Sequence, residues 1–198
     1  MIKNLKFKIK NFQEGITLIE IVVMLALIAI FSSILISDFP KIQRQFMLSR
    51  ASHKLSQDIR RAQDLALSGR RPAEEDEGEK IAGYGIYFNT STPTQYKIYE
   101  DKVVDSLFDK KYTDGEDVEN IDMADFASGV HIKEINPDKS SSASINFSPP
   151  NPLVMLTVGA LEPTSIEIIL CMNTYCSEAD SPTFRIVSVN KSGLIEIK

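Results

Sequence analysis

Cysteine and histidine are scarce in this chain of 198 residues, which holds two of each. Cys171 and Cys176 do not form a CxxC pair and no second cysteine pair exists, so the ligand spacing of a structural zinc site is missing. His53 and His131 have no serine or cysteine motif nearby that would supply a nucleophile, and both read as surface or partly buried polar residues. Carboxylates are abundant, but no pattern places two of them across a cleft. The chain therefore reads as a non-enzyme with no cofactor and no metal.

Basic charge is also short. Residues 1–15 carry four Lys and one Glu, a net of +3, against -5 for the whole chain, which leaves -8 on the remainder. Phosphate binding requires a basic surface, and near the C-terminus only Arg185, Lys191 and Lys198 are basic, so nucleic acid is not an expected partner. The acidic segment Asp101, Asp105, Asp109, Asp114, Gly115, Glu116, Asp117, Glu119 and Asp122 is rich in oxygen ligands. It lacks the residue order of an EF-hand and reads as a solvated acidic loop.

Charge is most conspicuously missing between Ile16 and Ile36, where 21 residues contain a single ionisable group, Glu20. That length is enough to cross roughly 30 Å of hydrocarbon as a helix. A carboxylate in such a segment costs on the order of 2.5 to 3.5 kcal/mol, so it calls for a partner or a function, unless it merely reaches the headgroup region. A cleaved secretory signal would carry a small-residue site of A-x-A type after the apolar run. The candidates around Ser33 and Ser37 are poor, and a glycine precedes the run instead.

What is present is a basic leader with Lys3, Lys6, Lys8 and Lys10, then Glu14-Gly15-Ile16-Thr17-Leu18-Ile19-Glu20 and the apolar run Ile21 to Phe31. This arrangement resembles the N-terminus of type IV pilins and pseudopilins. The resemblance implies cleavage after Gly15 by a prepilin peptidase on the cytoplasmic face and methylation of the new N-terminal Ile16. The residue after the cut is commonly Phe in that family; Ile16 departs from this, and other bulky apolar residues occur there. Glu20 would be the fifth residue of the mature chain. The resemblance implies that it meets the α-amino group of a neighbouring subunit, and a paired buried charge costs far less than a lone one. Thr17 is a further candidate in assembly, or its hydroxyl is satisfied within its own helix.

The leader followed by a span fits a cytoplasmic N-terminus, yet Lys41, Arg44 and Arg50 beyond the span pull the other way. The topology, with an exported C-terminal domain, therefore rests on the resemblance. In an exported domain a disulfide between Cys171 and Cys176 is permitted; the alternative is two unpaired thiols.

Further along, Ser37-Asp38-Phe39-Pro40 interrupts the helical pattern, and Pro40 is expected to kink the helix rather than stop it. Leu48, Leu55, Ile59, Ala62 and Ala66 fall on one face that should pack on a sheet. Arg44, Arg50, Lys54, Asp58, Arg61 and Asp64 are placed on the opposite face, which is solvated or makes filament contacts, and Gly69 ends the helix. Residues 70–80 form a polar linker.

Beyond it come short β-type runs. Tyr84–Phe88 and Tyr96–Tyr99 read as a hairpin, followed by Val130–Ile135, Ser144–Phe147, Leu153–Val158, Ser165–Cys171, Phe184–Val189 and Leu194–Ile197. A helix followed only by strands predicts an α+β fold with an antiparallel sheet against that helix. The organisation is thus a leader (1–15), a transmembrane or filament-core helix (16–37), an amphipathic helical half (38–69), a linker (70–80) and a β domain (81–198). This layout resembles the pilin-like fold, and the strand pattern resembles minor pseudopilins of the GspH/FimT type.

The resemblance implies a structural subunit of a type IV pilus or a type II secretion pseudopilus in the inner membrane. Its partners would be prepilin peptidase, other pilins and the assembly platform. Two other readings stay open: a filament-tip module that captures DNA or a secreted protein, and an ordinary single-pass anchor with an exported domain.

Overall fold

The structure is a computed structural model that describes residues 15–68, 81–102, 109–149, 153–172, 176 and 184–198. The basic leader, Gly69, the linker 70–80 and Asp105 lie outside the described residues. The chain divides into two compact units, Met1–Lys41 and Ile42–Lys198.

The described part of the first unit belongs to helix α1 (Leu18–Ser68) and the residues just before it. Branched and straight-chain apolar residues follow one another here on all sides of the helix, with no polar stripe. Accordingly every described side chain from Ile16 to Ile36 is exposed, Leu18 at 81% and Ile36 at 72%. The helix is long and apolar enough to cross a membrane. It does not stop at Pro40, which lies inside it. Proline lacks the N–H that would bond the Ile36 carbonyl, but the turns on either side keep the segment helical.

In the second unit the later turns of α1 become amphipathic. Leu48, Ala51, Leu55, Ile59 and Ala62 are fully buried and Ala66 nearly so, which is the face expected from their spacing. This face joins a single apolar core with strands from two antiparallel sheets. One sheet contains β1 (Ile81–Asn89), β2 (Gln95–Lys102), β3 (Asp117–Asp122), β5 (Ser142–Ser148) and β6 (Leu153–Val158), in the order β3-β2-β1-β5-β6. The other contains β4 (Val130–Asn136), β7 (Ser165–Met172), β8 (Phe184–Asn190) and β9 (Ile195–Ile197), in the order β4-β7-β8-β9.

Through the middle of the first sheet paired residues line up in rows that alternate between its two faces, as a pleated strand requires. Ile86 pairs with Ile98 and Ile145, and Ile145 with Leu156, forming one buried row toward the core. The next row outward, Ser144, Tyr87, Lys97 and Asn120, faces away from the core. In the second sheet Ile168 pairs with Ile135 and Val187, and all three are fully buried.

Four expectations need correction. The β domain has two sheets rather than one, because β4 pairs with β7 and not with its sequence neighbours β3 and β5. The strands are not free of helix: Met123–Asp125 forms a short 3-10 turn, capped by the Asp122 carboxylate, which accepts from Ala124 N. The acidic segment is not all loop, since Asp117–Asp122 is an edge strand that pairs with β2, and Asp101 and Glu116 are buried. Finally, Asp58 does not lie on the solvated face of α1; it is 2% exposed.

Candidate functional site

The N-terminal motif is ordered at the start of α1. Thr17 immediately precedes the first helical residue, and its Oγ1 accepts from Glu20 N at 3.3 Å. Its carbonyl also accepts from Glu20 N at 3.1 Å and from Ile21 N at 3.3 Å. Thr17 is therefore an N-cap whose hydroxyl is spent within its own helix. Thr17-Leu18-Ile19-Glu20 has the spacing of a capping box, a signal that the sequence reading did not use. Only half of that box is formed, because the Glu20 carboxylate makes no hydrogen bond or ion pair among the described residues and is left exposed beside the apolar run.

Gly15 stands just before this cap. A Cβ built on it would meet nothing within 4 Å, and its backbone is not in the left-handed region. Neither packing nor conformation requires a glycine there.

Cys171 ends the buried part of β7 and is joined to Cys176 in a disulfide, with Cα atoms 6.1 Å apart. That span lies within the usual range for such bridges.

A polar cluster occupies the outer face of the five-stranded sheet. Gly85 makes room for it: a Cβ there would collide with the Tyr99 ring and the Ile145 carbonyl oxygen. Tyr99 is fully buried, and Tyr112, from the segment between β2 and β3, packs edge-on against it at 5.5 Å. Tyr112 also stacks on Tyr87 with centroids 4.1 Å apart. Lys97 Nζ donates to Tyr112 Oη at 2.9 Å and to Asp117 Oδ2 at 2.8 Å, and Tyr112 Oη donates to Asp117 Oδ1 at 2.6 Å.

These bonds move the groups' protonation equilibria. Asp117 and Tyr112 hold the Lys97 ammonium above its ordinary range. Burial, reinforced by Asp117, pushes Tyr112 up to about 12. Burial opposes the fall at Asp117, but Lys97 and Tyr112 outweigh it and keep that carboxyl below the usual range.

Next to this cluster, Asp101 is fully buried at the end of β2. Its Oδ2 accepts from Asn146 Nδ2 at 3.0 Å, while Oδ1 has no hydrogen-bond partner. Burial, then the like charges of Asp109 and Glu116, push Asp101 up to about 6, with Asn146 and Lys110 acting the other way.

Glu116 is also raised, by burial, although it is well bonded: Oε1 accepts from Lys102 N at 3.1 Å and Oε2 from Thr113 N at 2.7 Å. Among the described residues no three His, Cys, Asp or Glu side chains converge on a point that could hold a metal ion.

An open groove of about 440 Å³ lies beside this face, lined by Tyr87, Asn89, Gln95, Lys97, Asp114 and Asn120 among others. A smaller cleft of about 290 Å³ is lined by Arg50, His53, Lys54, Gln57 and Phe126. His131 lies on β4, away from either lining. Near the C-terminus Lys198 Nζ pairs with Glu167 at 3.2 Å and Arg185 donates to the Phe184 carbonyl at 3.1 Å, so these two cations are engaged locally.

No family model, no curated protein and no solved structure matches the chain.

Proposed function

We propose that this chain is a minor pilin or pseudopilin, a structural subunit that joins a type IV pilus or a type II secretion pseudopilus through its N-terminal helix. In this reading prepilin peptidase cuts after Gly15, Ile16 is methylated, and the subunit waits in the inner membrane with residues 81–198 exported. The observation that carries the reading is the uncovered apolar surface of Ile16 to Ile36, interrupted by one carboxylate, Glu20, that is exposed and has no partner among the described residues. Such a surface has to be covered by lipid or by other helices like it. Gly15 adds support, since nothing in the fold calls for a glycine at that position and recognition by a peptidase would.

In this account the function is mechanical rather than catalytic. Helices leave the membrane and bundle, and each Glu20 is neutralised by the α-amino group of an adjacent Ile16. The β domains cover the outside. The assembly platform and other pilins are the partners, and Glu20 sets the axial register because a lone carboxylate in the bundle is costly.

The test is to express Glu20→Val and Glu20→Asp variants in cells with a working pilus or secretion machine and to measure recovery in sheared filaments. Glu20→Val should remain in the membrane fraction and be absent from filaments, with Glu20→Asp retaining part of the wild-type level. Equal recovery of wild type and Glu20→Val would remove the proposed role of the carboxylate.

A second reading, a filament-tip binding module, is favoured by the groove beside Tyr87, whose Asn89, Gln95 and Asn120 carboxamides line an open face of the exported domain.

A further inference from the structure

The segment Asp109–Glu116 leads into the start of β3 on the outer face of the five-stranded sheet, and two attachments hold it. One is Tyr112, packed on Tyr87 and Tyr99. The other is Glu116, whose carboxylate binds Lys102 N and Thr113 N and whose carbonyl accepts from Glu100 N at 3.0 Å. Beside the second attachment lies Asp101, fully buried, with Oδ1 unpartnered.

An ionised carboxylate in that position is costly, because one oxygen has lost water and gained nothing. Its surroundings do not repair the deficit. From the strap it faces Asp109 and Glu116, both acidic, with Lys110 as an opposing cation; from β5 it receives a bond from Asn146. On β1 its register partner is Gly83, which brings no side chain. Tyr99, on its own strand, is itself pushed above its ordinary range by burial and does not offer a charge.

We propose that Asp101 is a proton-operated latch: the Asp109–Glu116 strap is seated on the five-stranded sheet when Asp101 carries a proton and is loosened when Asp101 is ionised. Protonation removes the uncompensated charge and its repulsion of Asp109 and Glu116. Ionisation restores both, and the least costly relief is for the strap to lift and let water reach Oδ1. The strap carries Tyr112 over Tyr99 and supplies Asp114 to the wall of the groove, so the latch also governs how much of that face is open. The inference does not depend on the filament reading.

The direction follows from linkage. The seated state holds the Asp101 proton up to about 6, against 3.8 for the ordinary group. Seating is therefore favoured at low pH, and the advantage is lost as pH rises through that interval. With those two values the open-to-seated ratio should rise about 10-fold between about pH 5 and about pH 7.5.

The experiment is hydrogen exchange read by mass spectrometry on the full chain in phospholipid nanodiscs, corrected for the intrinsic pH dependence of exchange. Peptides covering 109–117 in the wild type should show the 10-fold change. In Asp101→Asn, an uncharged isostere, they should be equally protected at both pH values, while β1 and β5 peptides stay protected and report an intact fold. Asp109→Asn, at an exposed position, removes one like charge and should shrink the change.

Three outcomes would overturn the latch. The strap peptides could exchange identically at both pH values in the wild type. The change could persist undiminished in Asp101→Asn. Calcium chloride, added at the higher pH, could restore protection where acid does not, which would assign the site to a cation instead.

Discussion

Tyr96 Oη donates to Asp58 Oδ2 across 2.5 Å, tying β2 of the five-stranded sheet to helix α1 inside the apolar core. Lys54 Nζ, from the preceding turn of the helix, donates to the other oxygen, Oδ1, also at 2.5 Å. A buried carboxylate with both oxygens engaged is tolerable, and the same arrangement pushes the Tyr96 hydroxyl well above its ordinary range, first through burial and then through Asp58.

Removing one partner strands the other. Asp58→Ala leaves the Tyr96 hydroxyl buried without an acceptor and should cost about 1 to 3 kcal/mol. Tyr96→Phe should cost less, because Lys54 still satisfies the carboxylate in part. Chemical unfolding of the two single variants and the double variant gives the coupling; a double variant whose loss equals the sum of the singles would show that the bond contributes nothing specific.

The two halves of α1 should respond differently to truncation. Leu55→Ala opens a cavity in the core and should cost about 2 to 5 kcal/mol. Ile28→Ala removes an exposed methylene-bearing side chain from the first unit and should leave the thermal midpoint of the β domain unchanged. A comparable loss from Ile28→Ala would mean that the apolar half is part of the domain core.

Acid titration of the outer face has two signs. Asp101, raised to about 6, subtracts stability as pH rises between about 4 and 6. Asp117 is held below its usual 3.8, so it adds stability above that value and loses it as pH falls further. Asp101→Asn should therefore raise the midpoint at neutral pH and have no effect near pH 3, whereas Asp117→Asn should lower it at neutral pH and have little effect in strong acid. Thermal melts across that range decide both.

The Cys171–Cys176 bridge closes a short loop at the end of β7. In the chain-entropy account such a loop contributes about 2 kcal/mol, so reduction or Cys176→Ser should lower the midpoint modestly without unfolding the domain. Complete unfolding on reduction would show that the bridge does more than limit the unfolded chain.

Much of the fold was legible because its signals are local. The spacing of Leu48, Leu55, Ile59, Ala62 and Ala66 marks a helix face, and the alternation in β1, β2 and β5 to β8 marks half-buried strands. What escaped depends on partners distant in sequence. Asp58 reads as a surface residue until Tyr96 is brought over it, 38 residues later. Strand β3 carries acids at three of its six positions and buries only Ile121, so its composition resembles a loop and only pairing with β2 makes it a strand.

The division into two sheets has the same origin, since no local pattern tells β4 to skip to β7. At the N-terminus the signal is local, and the Thr17 hydroxyl is satisfied within its own helix, as one of the two sequence readings has it, by accepting from Glu20 N. Glu20 has two features to account for, a place in the first helical turn, where the helix dipole favours it, and an exposed carboxylate with no partner among the described residues beside an uncovered apolar surface.

The most direct test of the assembly account is the intact mass of the protein after co-expression with a prepilin peptidase, alongside a Gly15→Leu variant. The account predicts loss of residues 1–15 from the wild type, a free or methylated Ile16 at the new N-terminus, and an unprocessed Gly15→Leu chain. A full-length wild-type mass, in cells where the peptidase processes a known substrate, would contradict it and leave a plain membrane anchor.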